Sequence, residues 1–216
     1  MANSKETTKP KERTDIFTRL QKIDERYVYM LTLLLVSLAL LAPMGLPINV
    51  TDSTRKLYNS IEKLPAGGRV LIGSETLSGQ WAEYGPVSTA ILDHLFQKNV
   101  KIYFVTFQYS SSPVLIRDLV LPRIDNGKLY GKKYGVDYVD LGYIPGGETA
   151  MSRFGSGIRG TISTDFYGTS LDNIPVMKEV NKAADFQFMV CLGGSIVIQY
   201  VRQFPEKWKL PMGVGT

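Results

Sequence analysis

Hydrophobic positions fall into two regimes along the chain. From Tyr27 to Thr51 no residue carries a formal charge, and Met30 to Ala42 is an almost unbroken run of Leu, Val and Ala. A bilayer core of ~30 Å needs roughly 20 apolar helical residues, and Tyr27–Leu46 supplies them. No face of the run is polar, so it does not read as a core helix of a globular domain. Tyr27 and Tyr29 stand where interfacial aromatics anchor a span, and Pro43 and Pro47 let the backbone leave it. A cleaved signal peptide has a short positive leader, a shorter apolar stretch and a small-x-small cleavage site. Here 26 residues precede the run, and Ala42-Pro43-Met44 is a poor site. The pattern predicts a cytoplasmic leader over 1–26, a transmembrane signal anchor over 27–48 and a separate domain over 52–216.

Beyond residue 52 the pattern alternates between amphipathic stretches and short apolar runs. Asp52, Ser53 or Thr54 caps a helix to about Leu64, with Leu57, Ile61 and Leu64 on one face and Pro65 and Gly67-Gly68 as the stop. Arg69–Gly73 reads as a buried strand. A helix follows over Trp81–Asn99, its start shifted toward Gly85 by Pro86. Val100–Phe107 is a second strand. A helix runs from Val114 to about Tyr134, broken or kinked at Pro122. Val136–Gly142 is a third strand. A Gly-rich stretch over 148–184 holds short helices near Met151 and Val176. Phe186–Leu192, a helix from Ser195 to Phe204, and a strand from Leu210 to Val214 complete the series. The ending inside a strand-to-turn predicts a domain incomplete at its C-terminus. No internal repeat is visible.

Strand–helix alternation of this kind predicts an α/β domain of three layers, Rossmann-like, with a mainly parallel sheet of about five strands. Ligands in such sheets bind at the carboxyl ends of the strands, near a switch in strand order. Position alone therefore nominates Ser74, Glu75, Phe107, Gln108, Tyr143, Gly146, Gly147, Gly193, Gly194 and Ser195 as a ligand-binding site.

Composition changes the picture in three places. The chain has 216 residues, 44% apolar and 21% charged, with one Cys and one His. That excludes a disordered chain, an intrachain disulfide and a Cys/His zinc site, and a mean hydropathy of −0.04 excludes a polytopic membrane protein. Lys5, Lys9, Lys11, Arg13, Arg19, Lys22 and Arg26 precede the span, and Arg55, Lys56 and Lys63 are the nearest after it. This bias puts the N-terminus in the cytoplasm and the domain outside. After residue 26 there are 18 basic and 15 acidic residues, a net +3 too dispersed for nucleic acid.

Candidate chemistry is thin. Gly155-Ser156-Gly157-Ile158-Arg159-Gly160 matches G-x-G-x-x-G, but neither a strand before it nor a helix after it is predicted, so a dinucleotide site is not expected there. Leu192-Gly193-Gly194-Ser195 follows a strand and precedes a helix. Its N–H groups suit an anion, though a tight turn with a Ser cap explains the same residues. Pro145-Gly146-Gly147 carries the same ambiguity. His94 lies mid-helix, and no G-x-S-x-G elbow exists. Glu75, Glu83, Asp140, Glu148 and Asp165 lack the spacing of a cation site. Cys191 sits in an apolar run as a small hydrophobe, and Lys132-Lys133 reads as a solvated helix end. No catalytic residue, metal ligand or cofactor is nominated.

One resemblance covers most of the chain from about residue 26. Arg26-Tyr27-Val28-Tyr29 leads the span and Pro43-Met44-Gly45-Leu46-Pro47 ends it. Tyr130-Gly131-Lys132-Lys133-Tyr134-Gly135-Val136-Asp137-Tyr138-Val139-Asp140-Leu141-Gly142-Tyr143 is the most specific block, followed by Pro145-Gly146-Gly147 and Thr164-Asp165-Phe166-Tyr167-Gly168. In these features the chain resembles an uncharacterised family of prokaryotic membrane-anchored Rossmann-like α/β proteins. The resemblance implies a membrane-anchored domain and a further apolar segment past residue 216, and brings no established activity.

The resulting expectation is a non-enzymatic accessory or scaffolding subunit of a membrane complex, with the lipid bilayer and protein partners or further copies of itself as partners. The alternative is a small-ligand-binding or sensor module using the strand-end crevice. A hydrolase or transferase requires an activated nucleophile or a metal, and neither is visible in the pattern.

Overall fold

The computed structural model describes residues 23–41, 49–194 and 196–215, in two units that divide after Asn49. In the first unit, α1 (Glu25–Leu41) is a 17-residue helix, about 26 Å at ~1.5 Å per residue. Its Leu, Val and Met side chains are exposed, and the Thr32 hydroxyl donates to the Val28 carbonyl at 2.9 Å, within the helix. The far end of the expected span, residues 42–48, and most of the leader lie outside the described residues. Among the described residues no helix is long and apolar enough to cross a membrane.

The second unit is the α/β domain. Its elements in order are α2 (Asp52–Glu62), β1 (Arg69–Ser74), α3 (Trp81–Gln97), β2 (Lys101–Thr106), α4 (Ser112–Leu115), β3 (Tyr138–Tyr143), α5 (Gly147–Ser156), β4 (Phe188–Leu192), α6 (Val197–Val201) and β5 (Met212–Gly215). Every strand pair is parallel, in the order β3-β2-β1-β4-β5. The five-strand parallel sheet matches the expectation. Chain order reverses where β1 lies between β2 and β4, so the crevice of such a sheet falls at the carboxyl ends of β1 and β4.

Alternate strand residues feed two cores. Val70, Ile72, Ile102, Phe104 and Val190 pack with Ile61 of α2 and with Leu92, Leu95 and Phe96 of α3. Leu71, Tyr103, Val105, Val139 and Met189 pack on the other face with Met151 and Phe154 of α5 and with Tyr200 and Phe204. Strands buried on both faces read as continuous apolar runs, which is why they are legible in the sequence.

Several local expectations need correction. The α2 cap is Thr51, whose hydroxyl accepts from Thr54 N at 3.2 Å. The third helix begins at Trp81 with Pro86 inside it: the Trp81 ring packs on the bare backbone of Gly85 and holds the first turn. The segment after β2 is helical but irregular. It passes from α4 through a π turn at Ile116–Val120 into a 3-10 stretch at Leu121–Tyr130, where Pro122 supplies no N–H for a regular ladder. A second π turn, Arg202–Lys207, extends α6 around Pro205. Lys132 is no solvated helix end. It is 7% exposed and its ammonium donates to Asn99 Oδ1.

Candidate functional site

The crevice is built from the ends of β1, β2 and β4. Glu75, one residue past β1, is 1% exposed, and five donors converge on its carboxylate. Phe107 N and the Tyr200 hydroxyl reach Oε1, both at 2.6 Å. The Thr106 hydroxyl, Gln108 N and Tyr109 N reach Oε2 at 2.8, 3.1 and 3.3 Å. Three successive backbone N–H groups at the end of β2 thus form a nest, a geometry that binds anions, and the chain's own carboxylate fills it. Burial pushes the Glu75 carboxyl above its ordinary range, with the Tyr200 and Phe107 hydrogen bonds opposing. Burial, and then the Glu75 charge, push the Tyr200 hydroxyl and the Cys191 thiol up as well.

The walls are equally tight. Gly73 lies against Tyr200, and a Cβ there would fall 2.4 Å from a ring carbon. Ser74 Oγ lies 2.9 Å from Ser112 Oγ, which also accepts from Thr76 N at 3.2 Å. Glu75 N donates to the Leu192 carbonyl at 2.7 Å, and the Gly193 backbone abuts the Glu75 carbonyl.

Of the nominated residues, Ser74, Glu75, Phe107, Gln108 and Gly193 come together here, and Gly194 adjoins the Tyr84 hydroxyl. Ser195 lies outside the described residues. Gly146 and Gly147 cap and open α5, and Tyr143 ends β3, two strands away from β1. Neither buried serine is bonded to a base. The hydroxyl–carboxylate pairs of Glu75 are wholly interior, since Thr106 and Tyr200 are each 0% exposed.

The other suspected motifs resolve into structure. Gly155 ends α5 against the Trp208 ring and Gly157 caps it, so the glycine motif follows a helix rather than a strand. His94 Nε2 lies 2.7 Å from Glu62 Oε1, and its ring stacks on Tyr58 at 4.5 Å. His94 and Lys98 together hold the Glu62 carboxyl below its usual range. Glu148 pairs with Arg202 and Gln203. Among the described residues no three His, Cys, Asp or Glu side chains are grouped to hold a metal.

A second constellation lies at the end of β3. The Tyr134 hydroxyl donates to Asp165 Oδ2 at 2.7 Å, and Asp165 Oδ1 accepts from Tyr167 N at 3.0 Å and Thr169 N at 2.7 Å. Asp140 Oδ1 accepts from Gly142 N at 2.8 Å, and Phe166 N donates to the Asp140 carbonyl at 2.8 Å. Burial pushes the Asp140 carboxyl up to about 6, with Gly142 N opposing and the Asp165 charge adding. Beside this corner a groove of about 480 Å³ runs between Leu141–Tyr143 and Thr161–Phe166. Sequence reasoning missed the grouping, although its two Tyr- and Asp-bearing blocks, 130–143 and 164–168, were the signal available.

Comparison of the chain with models of known families, with curated proteins and with solved structures finds no match in any of the three.

Proposed function

We propose that the chain is a single-pass, membrane-anchored protein whose α/β domain lies outside the cytoplasm and serves as a non-enzymatic accessory or scaffolding subunit of a membrane complex. One observation carries the non-enzymatic part. The donors at the strand ends, which in a ligand-binding α/β domain face an anionic group, are consumed by the buried Glu75 carboxylate. A crevice filled from within turns binding outward, to the surface of the domain.

The apolar, exposed face of α1 supports the anchor, and the seven Lys and Arg residues before it support the orientation. Purified from native membranes in mild detergent, the protein is expected to co-migrate in fixed stoichiometry with another integral membrane protein or with further copies of itself. A lone monomer would overturn the subunit reading. Protease added to intact spheroplasts is expected to digest the chain beyond residue 51 and spare the leader, and protection of the domain would overturn the orientation.

A further inference from the structure

We propose that the groove beside the end of β3 binds a neutral polyhydroxylated ligand, a monosaccharide unit either free or at the end of a glycan. Its volume of about 480 Å³ falls within the range of roughly 300–1,000 Å³ typical of small-ligand sites.

The groove is a fixed surface. Asp165 accepts three hydrogen bonds from its own loop and from Tyr134. Phe166 N ties that loop to the Asp140 carbonyl, and Leu171 N ties its return to the Ser163 carbonyl. Thr164 and Ser170 form an antiparallel bridge across it. A wall held at this many points loses little freedom when a ligand settles against it.

The lining selects the chemistry. Tyr143, 40% exposed, offers ring surface of the kind that packs against the C–H faces of a sugar, and the half-buried Phe166, with Arg117 over its ring at 5.6 Å, adds apolar lining. Ser163 and Thr164, both exposed, lie across from Tyr143 on the wall that carries Phe166, and their hydroxyls suit partners that both give and accept hydrogen bonds. A purely apolar ligand would strip water from these groups without replacing it. Charge disfavours an anion. Asp118, Asp140 and Asp165 act on the neighbouring Tyr167 at this corner, as does Arg117, and Arg117 is already paired with Asp118 at 2.6 Å. A cation is not called for either, because the Asp165 carboxylate already accepts three hydrogen bonds and Asp140 is buried with its Oδ1 accepting from Gly142 N.

The test uses the full chain in lipid nanodiscs, free of sugar-headed detergent. Saturation-transfer NMR is recorded with glucose, galactose, mannose and N-acetylglucosamine, and with inorganic phosphate and tetramethylammonium as controls. At least one sugar is expected to show transfer, and neither control. Tyr143→Ala and the groove-filling Ser163→Tyr are each expected to weaken that binding at least tenfold with the Tm of the domain unchanged. The absence of transfer to every sugar, binding that survives both variants, or binding of phosphate or tetramethylammonium at this groove in place of a sugar would each overturn the proposal.

Discussion

Asp140 is the residue whose environment has the clearest thermodynamic consequence. Its folded pKa of about 6 lies above the ~3.9 of an unfolded chain. Between those values the folded state binds more protons than the unfolded one, so stability falls as pH rises through the window and is level above it. The effect is on the order of 2–3 kcal/mol at neutral pH, and Glu75, also raised, contributes in the same direction. Asp140→Asn keeps the acceptor for Gly142 N and removes the titration. Urea unfolding between about pH 4 and 7 is expected to show a falling stability in the wild type and a shallower slope in the variant. An unchanged slope would deny the burial argument. At the crevice, Tyr200→Phe removes one of the five donors to Glu75, and a hydrogen bond to a charged group contributes about 1.5–3 kcal/mol. The midpoint of denaturation should drop accordingly, with the sheet intact by circular dichroism. Glu75 is visible in the sequence as the residue after a strand. Its donors are not, because which N–H groups face it depends on the parallel register that sets Gly73 opposite Val105, and no local pattern records that pairing.

At the scale of elements, periodicity located most helices and all five strands, and it failed at helix ends and inside the irregular stretch between β2 and β3. Thr51 shows why. Any of four consecutive hydroxyl or carboxylate residues, Thr51 to Thr54, has the chemistry of a cap, and only backbone geometry selects one. Thr51 takes the extended conformation, with ψ at 157°, that aims its hydroxyl at Thr54 N. Thr51→Ala should therefore destabilise the domain by about 1 kcal/mol and Thr51→Ser by much less, a difference readable as a shift in Tm. Ser53→Ala should be silent. The helical stretch between β2 and β3 was legible as helix but not as three kinds of helix. Pro122 marks where a regular ladder stops, whereas the π turn preceding it answers to packing of Ile116 and Val120 in the core. Lys132 was misread for a related reason: its burial depends on Asn99, which sits at the turn between α3 and β2 with φ at 56°.

For the whole molecule, the fold class followed from strand–helix alternation, because buried parallel strands and their crossovers leave so regular a trace. Strand order did not follow from it; the placement of β4 beside β1 comes from contacts far apart in sequence. The groove at the end of β3 was hidden for the same reason, since its two walls come from separate segments of the chain joined by the Phe166 N–H to the Asp140 carbonyl and by Gly142 against Phe166. Among the described residues both apolar cores, with the partly buried side chains packed on them, are drawn from Leu57 onward. A fragment of residues 50–216 is accordingly expected to unfold in one cooperative transition by calorimetry, with the same midpoint as the domain in the full chain. A loss of cooperativity on removing residues 1–49 would mean that this segment contributes to the domain's folding.

Cys191 is the sole thiol of the chain. It sits one residue from the carboxyl end of β4 with no exposed surface, opposite Gly73 on one side and Val214 on the other. A maleimide cannot reach it without parting the sheet, and the raised pKa of the thiol keeps it unreactive until then. Its labelling rate is thus a clock for opening of the domain, one that slows when anything binds the closed state. Compared with a denatured control, it turns each variant and each candidate ligand named above into a single kinetic measurement.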